Sequence, residues 1–286
     1  MPQPYYPLTL VVTPGSSEEA LLQQVQKMFQ APFVVKPDVG MMGILFRKIE
    51  NTDQLLQYHR RMTAPYLVQA FVPYPQEVSV FYCRLPSHKQ GKITAVIQKN
   101  LLQVTGNGKD TVLQLLQQAE GAAAFLPAIQ RQQGRQLETV LPPGQVHCLS
   151  NVGNRMNGAT FVDLTALVDD DLLRLFDEIS LPGQFCYGRY DIKCQSLESL
   201  KKGRDFLILE FNGAGSIPNH IYTPGVTLWR AWREVALHWQ WLYRISKIHH
   251  QKGVPYWSFS KGLRFLRQAK RHFKQLKELD KEMVLH

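Results

Sequence analysis

Hydrophobic positions follow two periods along the chain, one helical and one alternating. Ser16-Ser17-Glu18-Glu19 has the pattern of a capping box, and Leu21, Leu22, Val25, Met28 and Phe29 follow at helical spacing. Phe33-Val34-Val35-Lys36 then reads as a short apolar strand ended by Pro37. A glycine-containing loop, Asp38 to Gly43, leads to an expected second strand at Ile44-Leu45-Phe46. Thr52 or Asp53 is placed to cap a helix carrying Leu55, Leu56 and Tyr58. Tyr66 to Val72 is β-rich, and Glu77 to Leu85 with Lys92 to Lys99 predict a hairpin around Pro86-Ser87-His88-Lys89-Gln90-Gly91. Thr111, after the turn Gly106-Asn107-Gly108, opens a helix with Leu113, Leu115 and Leu116. Residues 127–147, rich in Gln, Pro and Gly, carry no clear period.

In the second half, Asp169 to Asp171 place acids at the positive end of a helix with Leu172, Leu173, Leu175, Phe176 and Ile179. Two strands follow, Phe185–Cys194 and Phe206–Phe211. After Pro224 the pattern is helical to the end. Leu228, Trp232, Val235, Trp239 and Leu242 form one apolar stripe; Leu263, Leu266, Ala269, Phe273 and Leu276 form another. Strands and helices mix without a βαβ alternation, so the expected class is α+β with largely antiparallel sheets.

Composition changes this picture in one respect. The 286 residues are 44% hydrophobic and 20% charged, enough to bury a core, and the net charge is +10. That charge is uneven. Residues 229–286 hold 13 Lys and Arg against 4 Asp and Glu, a net +9, which leaves +1 for the rest. A uniformly basic nucleic-acid binder is therefore not expected. No apolar run reaches the ~18–20 residues that span a bilayer, and Met1-Pro2-Gln3-Pro4-Tyr5-Tyr6 lacks the features of a secretory signal. Cys83, Cys148, Cys186 and Cys194 form no C-x-x-C pair, so a zinc ribbon or thioredoxin-type site is unsupported, and a reducing cytoplasm fits.

The chemistry concentrates on two strands. In Gly188-Arg189-Tyr190-Asp191-Ile192-Lys193, alternation puts Arg189 and Asp191 on one face; in Ile208-Leu209-Glu210-Phe211-Asn212-Gly213 it does the same for Glu210 and Asn212. Tyr190, Ile192, Leu209 and Phe211 are then expected to point into the core. If the strands are neighbours, one surface carries two carboxylates, an amide oxygen and a guanidinium. Such hard oxygens suit magnesium beside phosphate, and an arginine stabilises charge on a transferring phosphoryl group. An ordinary surface ion-pair ladder has the same appearance. Pro32-Phe33-Val34-Val35-Lys36-Pro37 with Asp38-Val39-Gly40-Met41-Met42-Gly43 is a second signal: a lysine ending a buried strand, then glycines that permit close approach to phosphate. It is not a Walker A loop, and a β-turn with a solvated lysine is its plain alternative.

These two signals, in this order, resemble the ATP-grasp superfamily, and within it D-alanine–D-alanine ligase-like proteins. Asn151-Val152-Gly153-Asn154-Arg155 and Gly106-Asn107-Gly108-Lys109-Asp110-Thr111 are similar to segments of cyanophycin-synthetase-type ligases. The resemblance covers roughly residues 8–228 and implies two α+β lobes holding ATP between antiparallel sheets, followed by a helical extension. It places a small lobe at 1–68, a large lobe at 69–228 and the basic extension at 229–286. It assigns Lys36, and more weakly Lys99, to phosphate; Gln69, Phe71 and Val72 to adenine; and Glu77 to the ribose. Asp191, Glu210 and Asn212 become metal ligands for magnesium or manganese, and Arg189 the catalytic arginine. Arg155, Gly213 and His220 become candidate substrate contacts, and Arg84 lies near the hinge. The implied reaction is ATP-dependent joining of a small carboxylate to an amine through an acyl phosphate. A non-catalytic ATP-binding module and a kinase-type phosphoryl transfer are the alternatives. Removing the side chain of Asp191 or Glu210 is expected to end magnesium-dependent turnover while leaving the fold largely intact. Only 35 residues precede Lys36, so a form lacking the usual front α/β domain, or a chain truncated at its start, is expected. The basic extension reads as a helical cap, or as a surface meeting anionic lipid or an acidic partner.

Overall fold

The computed structural model describes residues 5–119, 125–150 and 153–283. Asn151 and Val152, which belong to one of the motifs above, lie outside the described residues, as do Met1 to Pro4. The elements are β1 (Thr9–Val12), α1 (Glu18–Met28), β2 (Phe33–Pro37), β3 (Arg47–Ile49), α2 (Thr52–Arg61), β4 (Tyr66–Ala70), β5 (Gln76–Cys83), β6 (Lys92–Asn100) and β7 (Gln103–Thr105). They continue with α3 (Val112–Gln118), α4 (Leu126–Gln133), β8 (Val146–Cys148), β9 (Thr160–Asp163), α5 (Asp170–Ser180), β10 (Tyr187–Cys194), α6 (Leu197–Lys201), β11 (Phe206–Asn212), α7 (Leu228–Gln251) and α8 (Phe259–Glu282). Helices and antiparallel sheets thus mix in the α+β class, with helices at the C-terminal end. Two compact units emerge: Met1–Pro7 with Val72–Asn100 and Phe161–Gly262, and Leu8–Phe71 with Leu101–Thr160 and Leu263–His286.

The first unit is built on a sheet of order β11-β10-β5-β6-β9. One face is apolar. Val78, Val80, Tyr82, Val96, Tyr190 and Ile192 pack there against Leu172, Phe176 and Ile179 of α5. Helix α5 forms because Asp169 caps it, its side chain accepting from the Leu172 N–H, and because its apolar residues fall on one side. A β-bulge decides the other face. The β10–β11 register pairs Asp191 with Glu210 but Ile192 with Ile208, so Leu209 is the extra residue. Sequence alternation alone would put residues 208 and 210 on one side. The bulge instead buries Ile208 and turns Glu210 to the polar face, and Leu209, expected in the core, is only half-buried.

Helix α7 covers the apolar half of that second face. Ile245, with Trp241, Leu242 and Ile248, packs on Phe81, Cys83, Ala95 and Tyr187. The buried His238 stacks edge-on against Phe81, with ring centroids 4.7 Å apart. Its Nδ1 is 2.8 Å from the Glu234 carbonyl and its Nε2 is 2.9 Å from Thr94 Oγ1. The neutral ring satisfies both contacts, its Nδ1–H donating to the carbonyl and its Nε2 accepting from the hydroxyl. Burial, reinforced by the neighbouring His220, holds the imidazole below its ordinary value. A histidine kept neutral in the fold but free to protonate when unfolded stabilises the fold above about pH 6.5 and loses that contribution as pH falls further. Melting curves of wild type and His238→Gln, recorded from neutral to mildly acid pH, should therefore diverge, the wild type losing stability faster. Parallel curves would show that the ring is not held neutral.

The second unit carries a sheet of order β1-β4-β2-β3. Its core joins Val12, Leu21, Val25, Phe33, Val35, Ile49, Leu55, Tyr58 and Val68 to Leu276 and Met283 of the C-terminal segment. Asn51, rather than Thr52 or Asp53, caps α2 by accepting from the Gln54 N–H. The strand expected at Ile44-Leu45-Phe46 is a turn, and the strand begins at Arg47. Met42 and Leu45 take positive φ values of 55° and 58° there. Leu45 is held in that conformation by two bonds: its N–H donates to Asp280 Oδ1 at 2.9 Å and its carbonyl accepts from Tyr58 at 3.0 Å. A second, smaller cluster within this unit gathers Val104, Val112, Leu116, Ile129, Leu137, Leu141 and Leu149.

The four cysteines are free. Burial pushes the Cys83 thiol up to about 12 and the Cys194 thiol up to about 11, as expected for core thiols.

Candidate functional site

The polar half of the second sheet face is assembled by register. Across β6, β5, β10 and β11, Lys99 faces Glu77, Ser79 faces Asp191, Asp191 faces Glu210, and Arg189 faces Asn212. Period-two alternation puts all of these side chains on one side of the sheet, and the β11 bulge brings Glu210 into line.

Asp191 is the hub and is 3% exposed. Its Oδ1 accepts from Ser79 Oγ at 2.6 Å, Lys99 Nζ at 3.0 Å and Arg189 Nε at 3.0 Å. Its Oδ2 accepts from Arg189 Nη2 at 2.9 Å and Asn212 Nδ2 at 3.1 Å. Lys99 also bridges to Glu77 Oε1 at 3.0 Å. Asn212 Nδ2 donates in addition to Glu210 Oε1 at 3.0 Å. Arg189 reaches beyond the strands: its Nη1 donates to Asn219 Oδ1 at 3.0 Å and to the Ile217 carbonyl at 3.4 Å, tying the loop after β11 to the sheet.

The electrostatics follow from this packing. Burial alone would raise the Asp191 carboxyl, but the charges of Lys99 and Arg189 overcome it and hold it well below the usual carboxylate range. Burial likewise opposes charge on Lys99 and Arg189. Asp191 and Glu77 hold the ammonium above its ordinary value, and Asp191 and Glu210 do the same for the guanidinium. Asp191, Lys99 and Arg189 therefore stay ionised at neutral pH.

The other predicted positions are distributed as follows. In the first unit, Val72 is buried. Gly213 opens a turn whose carbonyl accepts from the Ser216 N–H at 2.9 Å and the Ser216 hydroxyl at 2.7 Å. His220 is buried in the 3-10 turn Asn219–Tyr222, its Nε2 3.3 Å from Glu234 Oε2, and its Nδ1 has no hydrogen-bond partner among the described residues. Arg84, also buried, donates to the carbonyls of His88 and Phe185 at 2.9 and 3.3 Å, fastening the hairpin turn to the start of β10. In the second unit, Lys36 lies on β2 opposite Leu67 of β4. Gln69 is buried with its amide donating to Thr9 Oγ1 at 3.0 Å, and Phe71 has the Lys48 ammonium 5.1 Å from its ring centroid. Arg155 is exposed at the start of a 3-10 turn.

Two partners in the array escaped the sequence reading. Ser79 was findable, since Glu77, Ser79 and Phe81 share one side of β5 by alternation. Asn219 was not, because only the folded loop brings it to Arg189.

Among the described residues no group of three or more His, Cys, Asp and Glu side chains could hold a metal ion. The array offers a different set: the exposed Glu210 carboxylate, the Asn212 carbonyl oxygen, whose amide nitrogen is turned to the two carboxylates, and the Asp191 carboxylate shared with two cations. These hard oxygens fit a magnesium ion that takes few protein ligands and completes its shell with water and phosphate.

No protein-family profile matches the chain, and no curated protein matches it by sequence. Solved structures do match. They include a bifunctional glutathione synthetase from Pasteurella multocida, 16% identical, TM-score 0.41, covering 82% of this chain and 34% of that one. The ATP-grasp ligase PsnB with a minimal precursor is 12% identical, TM-score 0.42, with coverage of 84% and 56%. A D-alanine–D-alanine ligase from Bacillus anthracis is 11% identical, TM-score 0.45, with coverage of 87% and 64%. Of these three, PsnB is described as an ATP-grasp ligase. This chain spans from 34% to 64% of the length of these three.

Proposed function

We propose that this chain is the nucleotide-handling part of an ATP-grasp ligase, D-alanine–D-alanine ligase-like, that joins a small carboxylate to an amine with cleavage of ATP. The observation that supports this best is the buried Lys99–Asp191–Arg189 array flanked by Glu77, Glu210 and Asn212. A surface ion-pair ladder has no need to bury a carboxylate and two cations, each of which costs desolvation. A site for polyphosphate does need preorganised positive charge beside hard oxygen ligands. In the proposed reaction the substrate carboxylate attacks the γ-phosphoryl group, giving an acyl phosphate and ADP. The amine then displaces phosphate and forms the amide. Glu210, Asn212 and Asp191 would hold magnesium, or manganese, which when bound neutralises phosphate charge. Arg189 and Lys99 supply fixed positive charge, and Arg189 fixes the Gly213–His220 loop, where we place the acyl group. The backbone from Gln69 to Val72 is assigned to adenine, Glu77 to the ribose, Lys36 to phosphate and Arg155 to a substrate carboxylate. Free core thiols suit a reducing cytoplasm.

A second reading has one observation of its own. Five protein donors already meet the two Asp191 oxygens, so the array is closed as it stands, which suits a module that binds ATP without turnover. Incubation with ATP, magnesium and pooled amino acids or dipeptides separates the readings. Phosphate release that requires both a carboxylate and an amine supports ligation. ADP with a stable phosphorylated product indicates a kinase, and bound but intact ATP indicates the module.

Glu210→Gln removes a ligand charge from an exposed position. It should cut turnover by about 10²–10³-fold while shifting stability by no more than about 0.5 kcal/mol. Steady-state rates and a urea melt of the same preparation check both halves, and unchanged turnover would remove Glu210 from the site. Lys36→Ala should weaken ATP binding measured by calorimetry; unaltered affinity would take Lys36 out of the assignment.

A further inference from the structure

Of the apolar stripe read along α7, Leu242 packs on the body, whereas Leu228, Trp232 and Trp239 are exposed. The inner side is His238, Ile245 and their partly buried neighbours. The outer side carries Trp229, Trp232, Trp239 and Tyr243, which are 80%, 63%, 66% and 67% exposed. Their spacings of 3, 7 and 4 residues put all four on one side of the helix. Arg230, Arg233, Arg244 and Lys247, each exposed, form the adjacent row. The segment after α7 continues the pattern, with exposed Tyr256, Trp257 and Phe259, the last 86% exposed. Tyr256 stacks on His250 at 3.9 Å, and Lys261 lies 4.6 Å from the Trp257 ring centroid. From 228 to 262 there are six Lys and Arg and one acid, Glu234, whose carboxylate faces His220.

We propose that this outer face of α7, with residues 252–261, docks on an anionic lipid bilayer. Three features favour that occupant. Tryptophan and tyrosine settle at the headgroup level, where an apolar ring and a polar N–H or O–H are both satisfied. A row of arginines and lysines beside them, without interspersed acids, is attracted by anionic headgroups. A second copy of the same face is disfavoured, since a two-fold contact sets these basic rows against each other. The contact is peripheral, because no helix among the described residues is long and apolar enough to cross a membrane. With its inner face pinned to the sheet, α7 presents a rigid surface rather than one that folds on contact.

The test uses the full chain with phosphatidylcholine vesicles, with and without phosphatidylserine. The expected result is flotation with the anionic vesicles only, a blue shift of tryptophan emission on binding, and release at high salt. Trp232→Ser/Trp239→Ser and, separately, Arg230→Gln/Arg233→Gln should each weaken binding roughly ten-fold or more. All four positions are exposed, so both variants should melt like wild type. Equal binding to neutral vesicles, or full binding by the arginine variant, would overturn the proposal. So would a wild-type chain that ignores vesicles but dimerises in the ultracentrifuge, or that captures an oligonucleotide through the same residues.

Discussion

Asp191→Asn is expected to remove ATP-dependent turnover and to destabilise the chain by about 3–5 kcal/mol, because it leaves two buried cations without their shared anion. That is enough to lower a melting midpoint by roughly 10 °C. The geometry dictates the size of the effect. Lys99 would retain Glu77 as its one anionic partner, and Arg189 would lose its ion pair within β10 and at least one of its two bonds to residue 191, keeping Asn219 and the Ile217 carbonyl. The sequence alone suggests that Asp191 can be removed with the fold largely intact. Because Asp191 is nearly fully buried between two cations, the expected cost to the fold is larger than the sequence alone implies. Arg189→Met in the Asp191→Asn background should recover part of the loss, because the guanidinium left without its buried anion is removed, whereas Lys99 still has Glu77. Urea unfolding of the two single variants and the double variant measures this coupling. A single Asp191→Asn variant that unfolds like wild type would mean that the array adds nothing to stability. The paired Glu210→Gln variant separates chemistry from folding, as Glu210 stands at the exposed rim.

Leu276→Ala should cost about 2–5 kcal/mol, the range for truncating a large side chain in a well-packed core. Leu276 is 1% exposed and belongs to the same cluster as Val35, Ile49 and Tyr58. Around it, Arg47 Nη2 donates to Asp280 Oδ1 at 2.9 Å and to the Met283 carbonyl at 3.0 Å. Trp232→Ala, by contrast, should change stability by no more than about 0.5 kcal/mol. Thermal melts of the two variants side by side make the comparison, and equal melting would show that the end of α8 is not part of the second unit's core. The contrast also governs how lipid binding is tested. Deleting the C-terminal residues would remove Leu276 and Asp280 along with the exposed aromatics, so point variants on α7 are needed.

Much of the local structure was legible in the sequence. The Ser17 cap of α1 (a single bond from the Ala20 N–H in place of the capping box expected at residues 16–19), the Thr111 capping box with Gln114, the Asp169 cap of α5 and the β5–β6 hairpin all rest on neighbours in the chain. The misread strand at residues 44–46 failed because its conformation is fixed by Tyr58 and Asp280, one of them 235 residues away. The α8 stripe holds at Phe273 and Leu276, which join the core, while much of the α7 stripe faces outward for a related reason. Periodicity reports how many apolar residues share a helix face, and α7 has two such faces; only packing shows that His238 and Ile245 lie inside while Trp232 and Trp239 lie outside.

The sequence by itself determined the α+β class, the shared face of Arg189 with Asp191 and of Glu210 with Asn212, and the concentration of charge after residue 228. These depend on alternation, capping and composition, which are local. The tertiary structure decided that Lys99 and Ser79 converge on Asp191, that a bulge at Leu209 aligns Glu210 with it, and that residues 229–262 belong to one compact unit and 263–286 to the other. Strand register and the choice of buried helix face are settled by contacts between segments distant in the chain, and no local pattern encodes them.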